Sequence, residues 1–96
     1  MTTFRDREGK PIDGRQWGEL FSDENYRQLA HERVSDKLWI STIWWGIEGQ
    51  LYETAVSRDD SRTWRELLRY DTEEKARQGH AHFLELARRG MLDEDT

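Results

Sequence analysis

The run Leu38-Trp39-Ile40-Ser41-Thr42-Ile43-Trp44-Trp45 constrains this chain more than any other part of it. Nearly every residue is β-branched or aromatic, the composition of a strand. Alternation sends Leu38, Ile40 and Trp44 to one side and Trp39, Ile43 and Trp45 to the other. A strand apolar on both sides must be covered on both. The chain has 96 residues to do this with, enough for one domain and a modest core. Charged residues, at 36%, outnumber hydrophobic ones at 34%, which alone leans toward disorder. Five tryptophans, three tyrosines and three phenylalanines decide for a folded domain, because large aromatics bury much area each.

The segments around this run read as its partners. Gly46-Ile47-Glu48-Gly49 is a turn, Gln50–Ser57 a second strand, Arg58–Arg62 a polar loop and Thr63–Tyr70 a third strand. On the third strand, alternation groups Trp64, Glu66, Leu68 and Tyr70 on one face and Arg65, Leu67 and Arg69 on the other. Trp64 is thus expected in the core, under the closing helix. That helix starts at Asp71-Thr72, carries Glu73 and Glu74 in its first turn and turns Ala76, His80, Phe83, Leu84 and Ala87 inward. Gly90 is its expected stop.

Upstream, Phe4 and Ile12 flank a turn-rich stretch and pair as a short hairpin. Asp13 caps a short helix bearing Trp17, Leu20 and Phe21. Tyr26–Val34 fits two readings: a helical stripe of Tyr26, Leu29, Ala30 and Val34, or a strand returning through Ser35-Asp36-Lys37. The expected fold is α+β. An antiparallel sheet of three to four strands carries a short N-terminal helix and a longer C-terminal helix packed on one face. The domain spans residues 4–90, with 1–3 and 91–96 as flexible ends.

Charge and composition exclude several functions. The net charge of −5 opposes non-specific nucleic-acid binding, and acidic and basic residues alternate along the chain rather than segregating. Without cysteine there is no disulfide, zinc–thiolate site or cysteine nucleophile. No stretch approaches the roughly 20 apolar residues of a membrane span, and Met1–Lys10 lacks the apolar core of a signal peptide. The expected location is the cytoplasm.

Candidate chemistry is sparse. His80 and His82, two apart on a helix, point about 200° from each other and do not share a metal. One buried and one solvated histidine is the expectation, with no metal and no cofactor. Glu53 and Glu66 lie on neighbouring strands, where facing carboxylates can raise a pKa and make a general acid. Arg65, Arg69 or Lys37 as salt-bridge partners would make the same pair an ordinary strand surface. Ser41 and Ser57 sit in strands rather than in a nucleophile elbow. No catalytic residue is assigned and no enzyme is expected. The aromatic set is the more specific signal. Trp39, Trp44, Trp45 and Tyr52, near Arg65 and Arg69, combine the residue types enriched at binding hot spots. They also suit a nucleobase stacked above arginine-held phosphate. The competing reading is a small domain that fills its core with tryptophan. A face of this kind left open favours a homodimer packed through one of the tryptophan sets.

From Asp6 to Leu86 the chain resembles a family of small uncharacterised proteins from actinobacterial phages and prophages. The resemblance is carried by Asp6 with Gly9, Trp17, Ile40-Ser41-Thr42-Ile43-Trp44-Trp45-Gly46, Tyr52-Glu53-Thr54-Ala55-Val56, Arg69-Tyr70-Asp71-Thr72-Glu73-Glu74-Lys75-Ala76 and Gly79-His80. It implies a strand over Tyr26–Val34, hence four antiparallel strands with helices before and after. The chain departs from its relatives at Ile47-Glu48-Gly49, where they carry a longer glycine-rich loop. The implied role is a non-catalytic accessory phage protein in a bacterial cytoplasm, binding a host or phage protein, with the blunting of a host defence as one use. The alternative is a small-molecule binder that sequesters an anionic nucleotide.

Overall fold

The structure, a computed structural model, describes residues 3–58 and 64–92. Residues 1–2 and 93–96 of the expected ends, and residues 59–63, which hold the expected polar loop except Arg58, the last residue of a strand, lie outside the described residues. In chain order the elements are β1 (Phe4–Arg5), β2 (Pro11–Ile12), α1 (Gly14–Ser22), α2 (Glu24–Arg27), β3 (Gln28–Ser35), β4 (Leu38–Ile47), β5 (Gln50–Arg58), β6 (Arg65–Tyr70) and α3 (Glu73–Arg88).

The fold is α+β on an antiparallel sheet, larger than expected: six strands among the described residues rather than three or four. β3, β4, β5 and β6 pair in sequence order. The Phe4↔Ile12 hairpin adds two short strands, because β4 runs on past the end of β3 and Phe4 pairs with Ile47 there. The Tyr26–Val34 segment divides: one helical turn in α2, then strand from Gln28. Asp13 and Thr72 cap α1 and α3, each accepting a backbone N–H from the third residue of its helix. Gly90, at φ +69°, ends the last helix in the left-handed region that favours glycine.

Helix α3 covers one face of the sheet. Trp44, Tyr52, Tyr70 and Ala76 make one buried cluster there with Leu51, and Ile40, Val56 and Ala87 make another. Between the clusters runs a polar belt. Thr42 and Thr54, both fully buried, meet Oγ1 to Oγ1 at 2.5 Å, and His80 Nδ1 lies 2.8 Å from Thr42 Oγ1. His80 Nε2 in turn lies 3.0 Å from Glu32 on β3. His82 is exposed, so the helix carries one buried and one solvated histidine.

Helix α1 lies at the end of the first of these clusters, with Trp17, Leu20 and Phe21 packed against it. Phe4, Trp17 and Phe21 stack in a row at 4.9 and 5.0 Å, and Phe21 reaches both Trp44 at 6.4 Å and Trp45 at 5.5 Å. These two residues leave β4 on opposite sides, so the ring stack wraps the end of the strand. The doubly apolar strand is thereby covered by α3 on one side, and on the other by Phe21 of α1 only at its Trp45 end. Gly46 permits this: a Cβ there would meet the Trp17 ring at 2.6 Å and Trp44 at 2.7 Å.

One irregularity in β6 overturns the expected faces. Thr54 pairs with Leu68, but the next residue, Ala55, pairs with Glu66, so Leu67 is an extra residue. Everything before it changes side. Leu67 packs toward Ile40 and Val56, and Arg65 pairs with Val56 of the helix face, whereas Glu66 and Arg69 lie on the outer face. Trp64 is not core: it is 42% exposed, with its ring 5.8 Å from that of His31.

Candidate functional site

The outer face carries a groove of about 400 Å³. Strand register explains it. His31 pairs with Ser41, Ser41 with Ala55, and Ala55 with Glu66, so the two central strands place their small side chains side by side. Ile43 and Glu53, the next pair along, complete the floor. His31 and Gln28 of β3 form one wall, Phe21 and Arg27 close the α1 end, and Trp64 stands on the β6 side. Without the extra Leu67, Trp64 would point to the helix and this wall would not exist.

Glu53 is the chemical centre of the floor, its side chain only 16% exposed. Burial pushes its carboxyl above the usual glutamate range, and the charge of Glu66 adds to this against the pull of Arg69. Arg69 Nε stands 3.8 Å from Glu53, while its Nη2 pairs with Glu66 at 2.9 Å. Arg69 also donates to Gln50 and lies 5.9 Å from the centre of the Trp45 ring. Arg27 donates to the Phe21 carbonyl at 2.8 Å and covers the Phe21 ring at 5.0 Å. His31 stacks on Trp39 at 4.9 Å, and Arg33 covers the same indole at 5.6 Å.

The sequence-derived site residues separate. Trp44 and Tyr52 are fully buried and belong to the core, which removes them from any binding surface. Their polar atoms serve the N-terminal segment: Trp44 Nε1 donates to the Arg5 carbonyl and the Tyr52 hydroxyl to that of Arg7, both at 3.0 Å. Burial pushes the Tyr52 hydroxyl up to about 12. Arg65 faces the helix side, away from Trp39 and Trp45. Trp39, Trp45 and Arg69 do share the outer face, but as supports behind the groove. Trp45 is half-buried between Phe21 and Arg69, and Trp39 lies under His31 and Arg33. The open tryptophan surface expected for a dimer is therefore mostly covered by the chain itself.

The extra Leu67 brings Glu66 to the face of Glu53 and Arg69, where Glu53 is paired across the strands with Arg69 and Glu66 with Ala55. Phe21, Arg27, His31 and Trp64 were not foreseen as wall residues. Their signal lies in the Ser41↔Ala55 pair, two small residues among large ones, which becomes legible only once register is known.

The belt of Thr42, His80 and Glu32 has the order of a hydroxyl–imidazole–carboxylate relay. Thr42 is fully buried, so no substrate reaches its oxygen, and the belt joins the sheet to α3. Compared with family models, curated proteins and solved structures, the chain matches none.

Proposed function

We propose that this is a non-catalytic binding protein that takes a protein segment into the outer-face groove. One observation carries the reading: aromatic walls from Phe21 and Trp64 rise above a floor holding a largely buried carboxylate, Glu53. Aromatic walls supply contact area at little entropic cost, and a desolvated acid selects for a donor or cation on the incoming side chain. An extended segment presenting lysine or arginine fits both. The motif resemblance extends the proposal to a phage accessory protein acting on a host or phage protein, with the blunting of a host defence as its use.

An anionic nucleotide has less support. Arg69 is already shared among Glu53, Glu66 and Gln50, and a phosphate on the floor would meet Glu53. Trp64 on the wall makes fluorescence a direct test. Short lysine- and arginine-containing peptides should shift the emission of the wild type and leave Trp64→Phe unchanged. Saturable quenching by nucleotides, with no response to the peptides, would replace this reading by the nucleotide one.

A further inference from the structure

A second surface lies at the sheet edge. Among the described residues β6 pairs only with β5, so it is an edge strand of the sheet. Edges of this kind recruit further strands unless they are blunted. Leu68, on the helix face of this edge, is 48% exposed. The sequence of β6, Arg-Glu-Leu-Leu-Arg-Tyr, is nearly a charge-matched palindrome. We infer that two copies of the chain pair β6 to β6 about a two-fold axis, giving one continuous sheet across the dimer.

The bulge selects the register. In a regular antiparallel pair, residues facing each other across a two-fold must differ by an even number, or their side chains fall on opposite faces. The extra Leu67 breaks this parity: Glu66 and Arg69, three apart, are both on the outer face, and Leu67 and Leu68 are both on the helix face. A two-fold between Leu67 and Leu68 therefore matches every face. It sets Glu66 of each copy opposite Arg69 of the other and Leu68 of each opposite Leu67 of the other. Axes through Leu67 or Leu68 put charge against the apolar row, and axes through Glu66 or Arg69 set like charges together. The occupant that complements this edge in face, charge and apolar contact is a second copy.

A six-residue strand is about 20 Å long and buries less than the standard interface of roughly 800 Å² per partner. The dimer is accordingly weak, with a dissociation constant on the order of 100 µM. Sedimentation equilibrium on the full chain tests it through charge reversal. Glu66→Arg alone and Arg69→Glu alone should each weaken self-association about tenfold, because each sets like charges opposite each other twice per dimer. An equimolar mixture of the two variants should recover the wild-type affinity, since opposite charges face again. Leu68→Lys should also give a monomer. Circular dichroism matching the wild type confirms that each variant is folded. A wild type that stays monomeric at millimolar concentration overturns the inference. So does a dimer indifferent to both reversals, or a mixture that fails to associate.

Discussion

Gly79→Ala tests how α3 sits on the sheet. Gly79 lies in the middle of the helix, where alanine is ordinarily better by about 1 kcal/mol. Here a Cβ would meet the hydroxyl oxygen, Cζ and Cε1 of Tyr70, all closer than 3.0 Å. Carbon atoms prefer about 3.5–4.0 Å, so the ring would have to retreat by about 1 Å. Tyr70 is buried and held in β6 against Tyr52, which leaves little room for that. Overpacking of this kind costs about 1–3 kcal/mol, and three simultaneous contacts with one rigid ring belong at the upper end. Subtracting the helix gain leaves a net loss of about 1–2 kcal/mol. In a Tyr70→Leu background the obstacle is gone and the sign should reverse, with Gly79→Ala stabilising by up to about 1 kcal/mol. Urea unfolding of the four proteins closes the cycle. A Gly79→Ala protein more stable than the wild type would refute the placement of Tyr70 against this helix.

Three further outcomes follow from the geometry. Trp64→Ala should lower stability by less than about 1 kcal/mol, as for a surface side chain rather than the 3–5 kcal/mol of a core aromatic, measured by thermal or urea unfolding. Gly46→Ala should destabilise by about 2 kcal/mol or more, because it combines a left-handed φ of +82° with contacts to Trp17 and Trp44; an unchanged urea midpoint would contradict this. Glu53 and Glu73 should give opposite pH slopes. The raised pKa of Glu53 binds a proton more tightly in the folded state, so stability falls as pH rises from 4.5 through the folded value, and Glu53→Gln removes that fall. For Glu73 burial acts upward but is outweighed by hydrogen bonds from Arg7 and Arg77, so its pKa is lowered. Its stabilisation is present above pH 4.5 and lost as pH drops through the folded value, and Glu73→Gln should erase that loss; urea midpoints from pH 3 to 8 read both.

The strands β4 and β5, the α3 stripe, the caps at Asp13 and Thr72 and the stop at Gly90 were legible in the sequence because each depends on local spacing and chemistry. The groove was not, because it depends on a single extra residue. A bulge at Leu67 has no signature in Arg-Glu-Leu-Leu-Arg-Tyr; it exists because Leu67 and Tyr70 both find apolar partners on the helix face. That shift moved Trp64 from the core to the wall and Arg65 from the outer face to the helix face. The two tryptophans Trp44 and Trp45 were equally ambiguous, since alternation says they face apart but not which of them α1 leaves accessible. Gly46 lies against Trp17 and Trp44, and Gly79 against Tyr70, so both glycines serve close packing.

Site-specific photo-crosslinking tests whether the outer-face groove receives a protein segment. A photoreactive phenylalanine analogue replaces Trp64 on the groove wall in one variant and Gln78, exposed on α3, in another. Both are irradiated in lysate of the organism that carries the gene, and the crosslinked products are sequenced by mass spectrometry. Covalent capture of one defined protein segment is expected from position 64, carrying lysine or arginine at the crosslink, abolished by Ala55→Arg, which fills the groove floor, and absent from position 78. Equal capture from both positions, or capture from position 64 that survives Ala55→Arg, would contradict it.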